Sequence, residues 1–271
     1  AGAPYVAIDM RAGTDCAKDA VVFSPHKFVG GPGASGITVM RNALARRTVP
    51  TFPGGGTVAF VSPWSHVYSS RLANREERGT PNVVGDVRAA LVMMVKEAMG
   101  YDWLDARHQE LRRTALTTWR KNPSIQLLGN IDAPALPIFS FCIRDGQGGL
   151  VHQQFATRLL SDLHGIQARG GCACAGSYAH RLLGIDEAGS DARRAERDAG
   201  RETAKPGWIR LNLSALNTDA KTRFIIDCVD GIAEEAKRLI CRYHVEEGTA
   251  RFSPRAVRPA GEAAPDTRAS A

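Results

Sequence analysis

Apolar and polar positions along this chain follow two periods, and the period switches several times. Ala20–Phe23 is a short apolar run that stops at Ser24-Pro25, which predicts a buried strand ending in a turn. Ile37–Met40 and residues 125–128 and 137–143 predict further strands, the last bounded by the turn pair Asp145-Gly146. Residues 208–213 alternate as a strand with one buried face does. Helical periodicity is strongest over Val83–Met99, where Val84, Val87, Leu91, Met94, Val95 and Ala98 fall near one face and Gly100 supplies a stop. Residues 102–121 predict an exposed amphipathic helix, Gln153–His164 a helix ended by Gly165, and 218–243 a region containing a long helix. Residues 186–206 are polar and charged, a helix or a loop excursion. The tail from Phe252 onward, rich in Pro, Ala, Arg and Gly, has the composition of a segment that does not pack. Strands and helices are mixed throughout without internal repeats, which points to an α/β or α+β architecture.

Composition narrows the class. With 271 residues, 44% hydrophobic and 23% charged, the chain can bury a sizeable core, and disorder over its whole length is excluded. No apolar run reaches the ~18 residues that span a bilayer, so no membrane partner is expected. The first residues lack the basic-then-apolar pattern of a signal peptide. Six scattered cysteines in such a chain read as reduced thiols, which predicts a cytoplasmic location. The net charge of +7 gathers mainly at 41–47, 107–121 and 193–201, the last two with acidic residues interleaved. This balance suits an anionic small molecule as readily as nucleic acid. Without zinc-finger spacing or a basic stripe with stacking aromatics, no nucleic-acid partner is expected. The basic cluster at 107–121 reads as a solvated helix face, and Met93-Met94 as core. His152, His164 and His180 do not form a metal triad by spacing, so no metal is expected.

The candidate chemistry lies in Ser24-Pro25-His26-Lys27-Phe28-Val29-Gly30-Gly31-Pro32-Gly33. A lysine directly after a strand and before a glycine-rich turn is held rigidly, and its amine can form a Schiff base with a carbonyl cofactor. Ser24 and His26 can donate to a phosphate, and the glycines let backbone N–H groups approach an anion. An isolated lysine in such a place is an ordinary surface residue; the full string weighs against that reading.

That string resembles the cofactor-lysine motif of the class V aminotransferases, the fold type I pyridoxal-phosphate enzymes that include cysteine desulfurases. The resemblance continues in order along the chain. Pro53-Gly54-Gly55-Gly56-Thr57 is similar to the family's triple-glycine loop, and Gly79-Thr80-Pro81-Asn82 to its Gly-Thr-Pro segment. Arg169-Gly170-Gly171-Cys172-Ala173-Cys174 is similar to the loop that carries the desulfurase cysteine, and residues 208–213 to the family's late arginine strand.

The resemblance implies an α/β fold: residues 1–98 as the C-terminal part of a large cofactor domain with a mostly parallel sheet, residues 99–250 as a smaller α+β domain, and 251–271 as the tail. It implies pyridoxal 5'-phosphate as cofactor, an amino acid as substrate and a homodimer. Lys27 would form the internal aldimine and later move the Cα proton, with Ser24 and His26 on the cofactor phosphate. Thr57, Gly79 and Thr80 would lie near the neighbouring subunit's active site. Arg210 would hold the substrate carboxylate, and Arg169 would sit at the rim of the same site. Cys174, five residues after Arg169, would accept sulfur in a cysteine desulfurase and pass it to an acceptor protein; otherwise it and Cys172 are small loop residues. The family's pyridine-pairing aspartate would fall before Ala1, and Asp9 and Asp15 come after that point, so neither is assigned. The chain therefore looks like the C-terminal two-thirds of such an enzyme. The competing expectation is a truncated pseudo-enzyme that keeps the fold and dimer surface without catalysis.

Overall fold

Small side chains determine how the first part of the chain assembles. The structure is a computed structural model that describes residues 7–172 and 176–255, and the chain divides into two compact units, Ala1–Ala106 and Arg107–Ala271. In the first unit, β1 (Ala20–Phe23) pairs antiparallel with β2 (Ile37–Met40), and β3 (Val58–Val61) with β4 (His66–Tyr68). Among the described residues these are two separate two-stranded sheets. The expectation of a buried β1 does not hold among the described residues: its residues alternate in exposure, and Val22 is 61% exposed.

A short helix α1 (Leu72–Glu76) leads to α2 (Val83–Met99), whose bounds match the periodicity. Asn82 caps it by accepting from Gly85 N–H at 3.2 Å, and Gly100 ends it at a φ of 75°. Its packed face differs from the expected one. Gly85, Ala89 and Val92 are buried, while Val84, Val87, Leu91, Met93 and Met94 are exposed, so neither Met93 nor Met94 is core. The small residues win because backbone must approach there. Ser35 N–H donates to the Gly85 carbonyl at 3.0 Å, and a Cβ at Gly85 would meet Ser35 Oγ at 2.7 Å.

In the second unit the apolar alternation predicted for 137–143 and 208–213 builds the core. The helix α3 (Tyr101–Trp119) leads into β5 (Ile125–Leu127), β6 (Ile138–Arg144) and β7 (Leu150–Val151). There follow α4 (Gln153–His164), β8 (Arg169–Gly171), α5 (Gly176–Leu183), α6 (Glu187–Asp198), β9 (Trp208–Asn212) and α7 (Asp219–Leu239). The antiparallel sheet runs β5-β6-β9-β8, with β7 beside β6. Phe139, Phe141 and Ile143 of β6 and Ile209 and Leu211 of β9 share one core with Leu111, Ala115 and Trp119 of α3, Leu159 of α4 and Val229 and Ile232 of α7. Trp119 is fully enclosed, packs edge-on against Phe139 at 4.9 Å, and donates its indole N–H to the Ile226 carbonyl at 3.1 Å.

Two expectations fail here. The basic stretch on α3 is not solvated throughout: His108 and Arg112 are buried, and Arg112 Nη2 donates to the Ile131 and Ala133 carbonyls at 2.7 and 3.3 Å. The tail begins later than its composition implies. Residues 251–254 form β11 (Arg251–Pro254), which pairs with β10 (Tyr243–Glu246), and Phe252 is buried against Phe155 at 5.2 Å. A single aromatic with a ring to pack on outweighs the polar composition around it. Residues 256–271 lie outside the described residues. Among the described residues no helix is long and apolar enough to cross a membrane.

Trp119→Ala should lower the stability of the second unit by about 3–5 kcal/mol, the range for emptying a large aromatic site. Trp64→Ala, at a residue 90% exposed, should change it by no more than about 0.5 kcal/mol. Urea unfolding of the two variants beside the parent chain measures both; equal midpoints would refute the assignment of Trp119 to the core.

Candidate active site

The lysine turn of the first unit is built from proline, aromatic and glycine constraints. Pro25–Lys27 is one turn of 3-10 helix that starts after Ser24, with Pro25 preset for the first helical position. Pro25 and Phe28 point inward, Phe28 stacking on Phe23 at 6.2 Å, which leaves His26 and Lys27 on the exposed side. Consecutive turns follow, with Phe28 N–H donating to Pro25 O at 2.9 Å, Gly31 N–H to Phe28 O at 2.9 Å and Ala34 N–H to Gly31 O at 2.8 Å. A Cβ at Gly31 would stand 2.1 Å from the Pro25 carbonyl oxygen, so only glycine closes this winding. Helix α2 holds the loop from behind, where Arg88 Nη1 donates to Pro32 O at 3.1 Å. The Ser24 hydroxyl, the His26 ring and the Lys27 amine have no hydrogen-bond or carboxylate partner among the described residues.

The triple-glycine loop and the Gly-Thr-Pro segment come together in the same unit. Gly79 N–H donates to Gly55 O at 2.8 Å. Thr57 is fully buried, and its hydroxyl donates to Gly54 O at 2.6 Å and accepts from Gly54 N–H at 3.2 Å, so this group closes its own loop. Gly79 and Thr80 line a cavity of about 880 Å³ together with Ser35, Arg78 and Asn82; Lys27 is not among its lining residues.

In the second unit the sheet register decides the geometry. Arg210 on β9 is directly opposite Arg169 on β8 and, on its other side, Ser140 on β6. Alternation puts Ile209 and Leu211 in the core, so Arg210 lies on the other face of the sheet, with Arg169 beside it. No carboxylate pairs with Arg210 among the described residues. Cys174 falls within residues 173–175, outside the described residues. Cys172 is half-buried against a small cluster of Cys142, Ala179 and Trp208. Burial pushes the Cys142 thiol up to about 11, with nearby Arg144 opposing, so Cys142 is kept as an unreactive thiol. Among the described residues no group of three or more His, Cys, Asp or Glu could hold a metal.

Two residues here escaped sequence reasoning. Ser140 joins the arginine row through register alone, which no local pattern announces. His152, which by spacing belongs to no metal triad, caps α4: its Nδ1 accepts from Gln154 N–H at 3.2 Å, and its Nε2–H donates to Thr203 O at 3.2 Å. Burial lowers its pKa, opposed by the bond to Thr203.

The Aminotransferase class-V family model matches residues 5–218. The chain belongs to the class V aminotransferase family. The cysteine desulfurases of Salmonella agona (strain SL483) and Salmonella typhi are each 30% identical to it over 169 residues, 62% of this chain and 39% of theirs. The chain thus spans well under half the length of these class V relatives. Among solved structures, the cysteine desulfurase of Escherichia coli in its S-sulfonic acid form superposes with a TM-score of 0.61 at 22% identity, over 80% of this chain and 46% of that one. The apo cysteine desulfurase of Thermococcus onnurineus NA1 gives 0.62 at 22%, over 80% and 47%. At this identity the likeness establishes the fold, a mixed α/β class V architecture.

Because His152 is held neutral, the unfolded chain binds its proton more readily than the folded one. The stability it contributes is complete above the ordinary imidazole value and is lost as pH falls through that value towards the lowered one. Urea midpoints followed between about pH 7.5 and about pH 5 should fall with acidification, and less steeply in His152→Gln. Parallel slopes in the two proteins would refute this role.

Proposed function

We propose that this chain carries the lysine turn and the carboxylate-binding arginines of a pyridoxal-phosphate-dependent enzyme that removes sulfur from cysteine. The place of Arg210 on the exposed face of β9, between the buried Ile209 and Leu211, carries the reading. Arg210 pairs with no carboxylate among the described residues, and its planar guanidinium is suited to holding an anion in two parallel bonds. An amino-acid carboxylate is that anion.

The residues around Lys27 fit the cofactor. Among the described residues Ser24 and His26 offer donors with no acceptor and Lys27 an amine with no carboxylate partner, and the close winding at Gly31 keeps the turn rigid. When bound, pyridoxal phosphate supplies an electron sink for the substrate's Cα. In this reading Ser24 Oγ and His26 would bind the phosphate oxygens, and Lys27 Nζ would anchor the carbonyl and take and return the Cα proton. Arg210 fixes the substrate carboxylate, Arg169 supports it, and the Cys174 thiolate attacks the substrate sulfur. The new S–S bond forms as the C–S bond breaks, and the carbon skeleton takes a proton. Cysteine and one thiol thus become alanine and a persulfide, with no outside oxidant or reductant, and a sulfur-acceptor protein then takes the outer sulfur. Residues 1–98 serve the cofactor and 99–250 the substrate carboxylate. Support comes from family membership and from relatives named cysteine desulfurases.

The purified chain with added pyridoxal phosphate should develop an absorbance band of lysine-bound cofactor that is missing in Lys27→Ala. No band in the parent chain would leave the fold without the cofactor chemistry. With cysteine added, sulfide and alanine should form. Cys174→Ser should abolish both, and Arg210→Gln should raise KM for cysteine by roughly tenfold or more. Sulfide release unaffected by Cys174→Ser would overturn the sulfur-transfer step while leaving the cofactor reading intact.

A further inference from the structure

Residues 28–35 run along α2 in the opposite direction, and the helix meets them at four successive levels. Lys96 Nζ stands 5.9 Å from the centre of the Phe28 ring, and a Cβ at Gly30 would meet Val92 Cγ1 at 3.9 Å. Arg88 Nη1 donates to the Pro32 carbonyl at 3.1 Å, and Ser35 N–H donates to the Gly85 carbonyl at 3.0 Å. Lys96, Val92, Arg88 and Gly85 follow one another at helical spacing, so they form one stripe of α2. That stripe supports the segment that follows the lysine.

Within it, Arg88 supplies the one hydrogen bond from a helix side chain to residues 28–33 among the described residues. Its guanidinium occupies the space that a Cβ at Gly33 would take, which would stand 2.4 Å from Nη1. Glycine there lets the cation lie against the backbone. The Pro32 carbonyl has no backbone donor among the described residues, so Arg88 is the group that satisfies it. A bond from a charged donor is stronger than one between neutral groups. Arg88 forms no ion pair among the described residues, so no carboxylate competes for this seat.

From Pro32 the hold passes back to the lysine through the backbone. Ala34 N–H bonds Gly31 O, Gly31 N–H bonds Phe28 O, and Phe28 N–H bonds Pro25 O, three successive turns with little slack between them. The Lys27 amine has no partner among the described residues, so the backbone alone fixes the root of its side chain. We propose that Arg88 is a positioning residue for Lys27: by holding the Pro32 carbonyl against α2, it fixes the turn from which the amine reaches the cofactor. The proposal rests on the reading of Lys27 as the cofactor amine.

Amide hydrogen exchange of the nitrogen-15-labelled chain without cofactor reads the turn directly. Arg88→Met should speed exchange at Gly31 and Ala34 by roughly fivefold or more, while Val92 in the middle of α2 exchanges as in the parent chain. Arg88→Lys, which can still donate to the Pro32 carbonyl, should restore most of the protection. With pyridoxal phosphate added, Arg88→Met should raise the midpoint for the band of lysine-bound cofactor by roughly fivefold or more, and Arg88→Lys by much less. Unchanged exchange at Gly31 and Ala34, equal acceleration at Val92, or an unchanged midpoint would overturn the proposal. A parent chain with no band would defeat the reading of Lys27 as cofactor amine, and exchange at Gly31 and Ala34 would decide separately whether Arg88 holds the turn.

Discussion

The packing of Trp119 between β6 and α7 is the contact on which the second unit depends. Its ring meets Phe139 at 4.9 Å and Phe141 at 5.7 Å, and its indole N–H satisfies a carbonyl of α7. Burial of this size supplies the main force that seats α3, α4 and α7 on one face of the sheet. Once that face is apolar and covered, the two-residue period of a strand leaves no freedom for the other. Arg210 must lie opposite Ile209 and Leu211, and the antiparallel register sets Arg169 and Ser140 beside it. A slip of one residue would carry Arg210 into the core. The arginine row is thus a consequence of where the aromatics went.

The first unit works by a different constraint. The residues that α2 buries are small, and close approach of backbone takes the place of large side-chain contacts there. Gly85 admits the Ser35 amide, and Gly31 admits the Pro25 carbonyl. These contacts tie the glycine loop to α2 and set the Lys27 turn at the end of a rigid strand. The large apolar residues of α2, periodic as they are, lie on the exposed side. Helical spacing tells which residues share a face; it does not tell whether a larger or a smaller face can reach its neighbour. Here the need to pass backbone close to backbone selected the smaller one.

Much of the candidate site could be read along the chain, because its motifs are local. A lysine between a strand and a glycine turn, a triple-glycine loop and an arginine on an alternating strand each announce themselves within ten residues. The bounds of α2 and α4 were legible for the same reason: caps and stops at Asn82, Gly100 and Gly165 are local chemistry. The β3–β4 pair, the strand β8 inside a loop-like Arg-Gly-Gly, and β11 inside a polar tail were not. Each owes its place to a partner elsewhere in the chain, as Phe252 does to Phe155.

By itself, then, the sequence determined the family, the mixed α/β class, the order of the motifs and the identity of the amine, the donors and the guanidinium groups they carry. Those are properties of residue type and short-range spacing. Only the tertiary structure decided that Arg169 and Arg210 stand opposite each other, that Arg112 is buried against the carbonyls of Ile131 and Ala133, and that Trp119 donates to the Ile226 carbonyl. Each of these depends on register or burial between segments tens of residues apart. Long-range pairing is set by the competition of whole faces for contact, and no local pattern encodes its outcome.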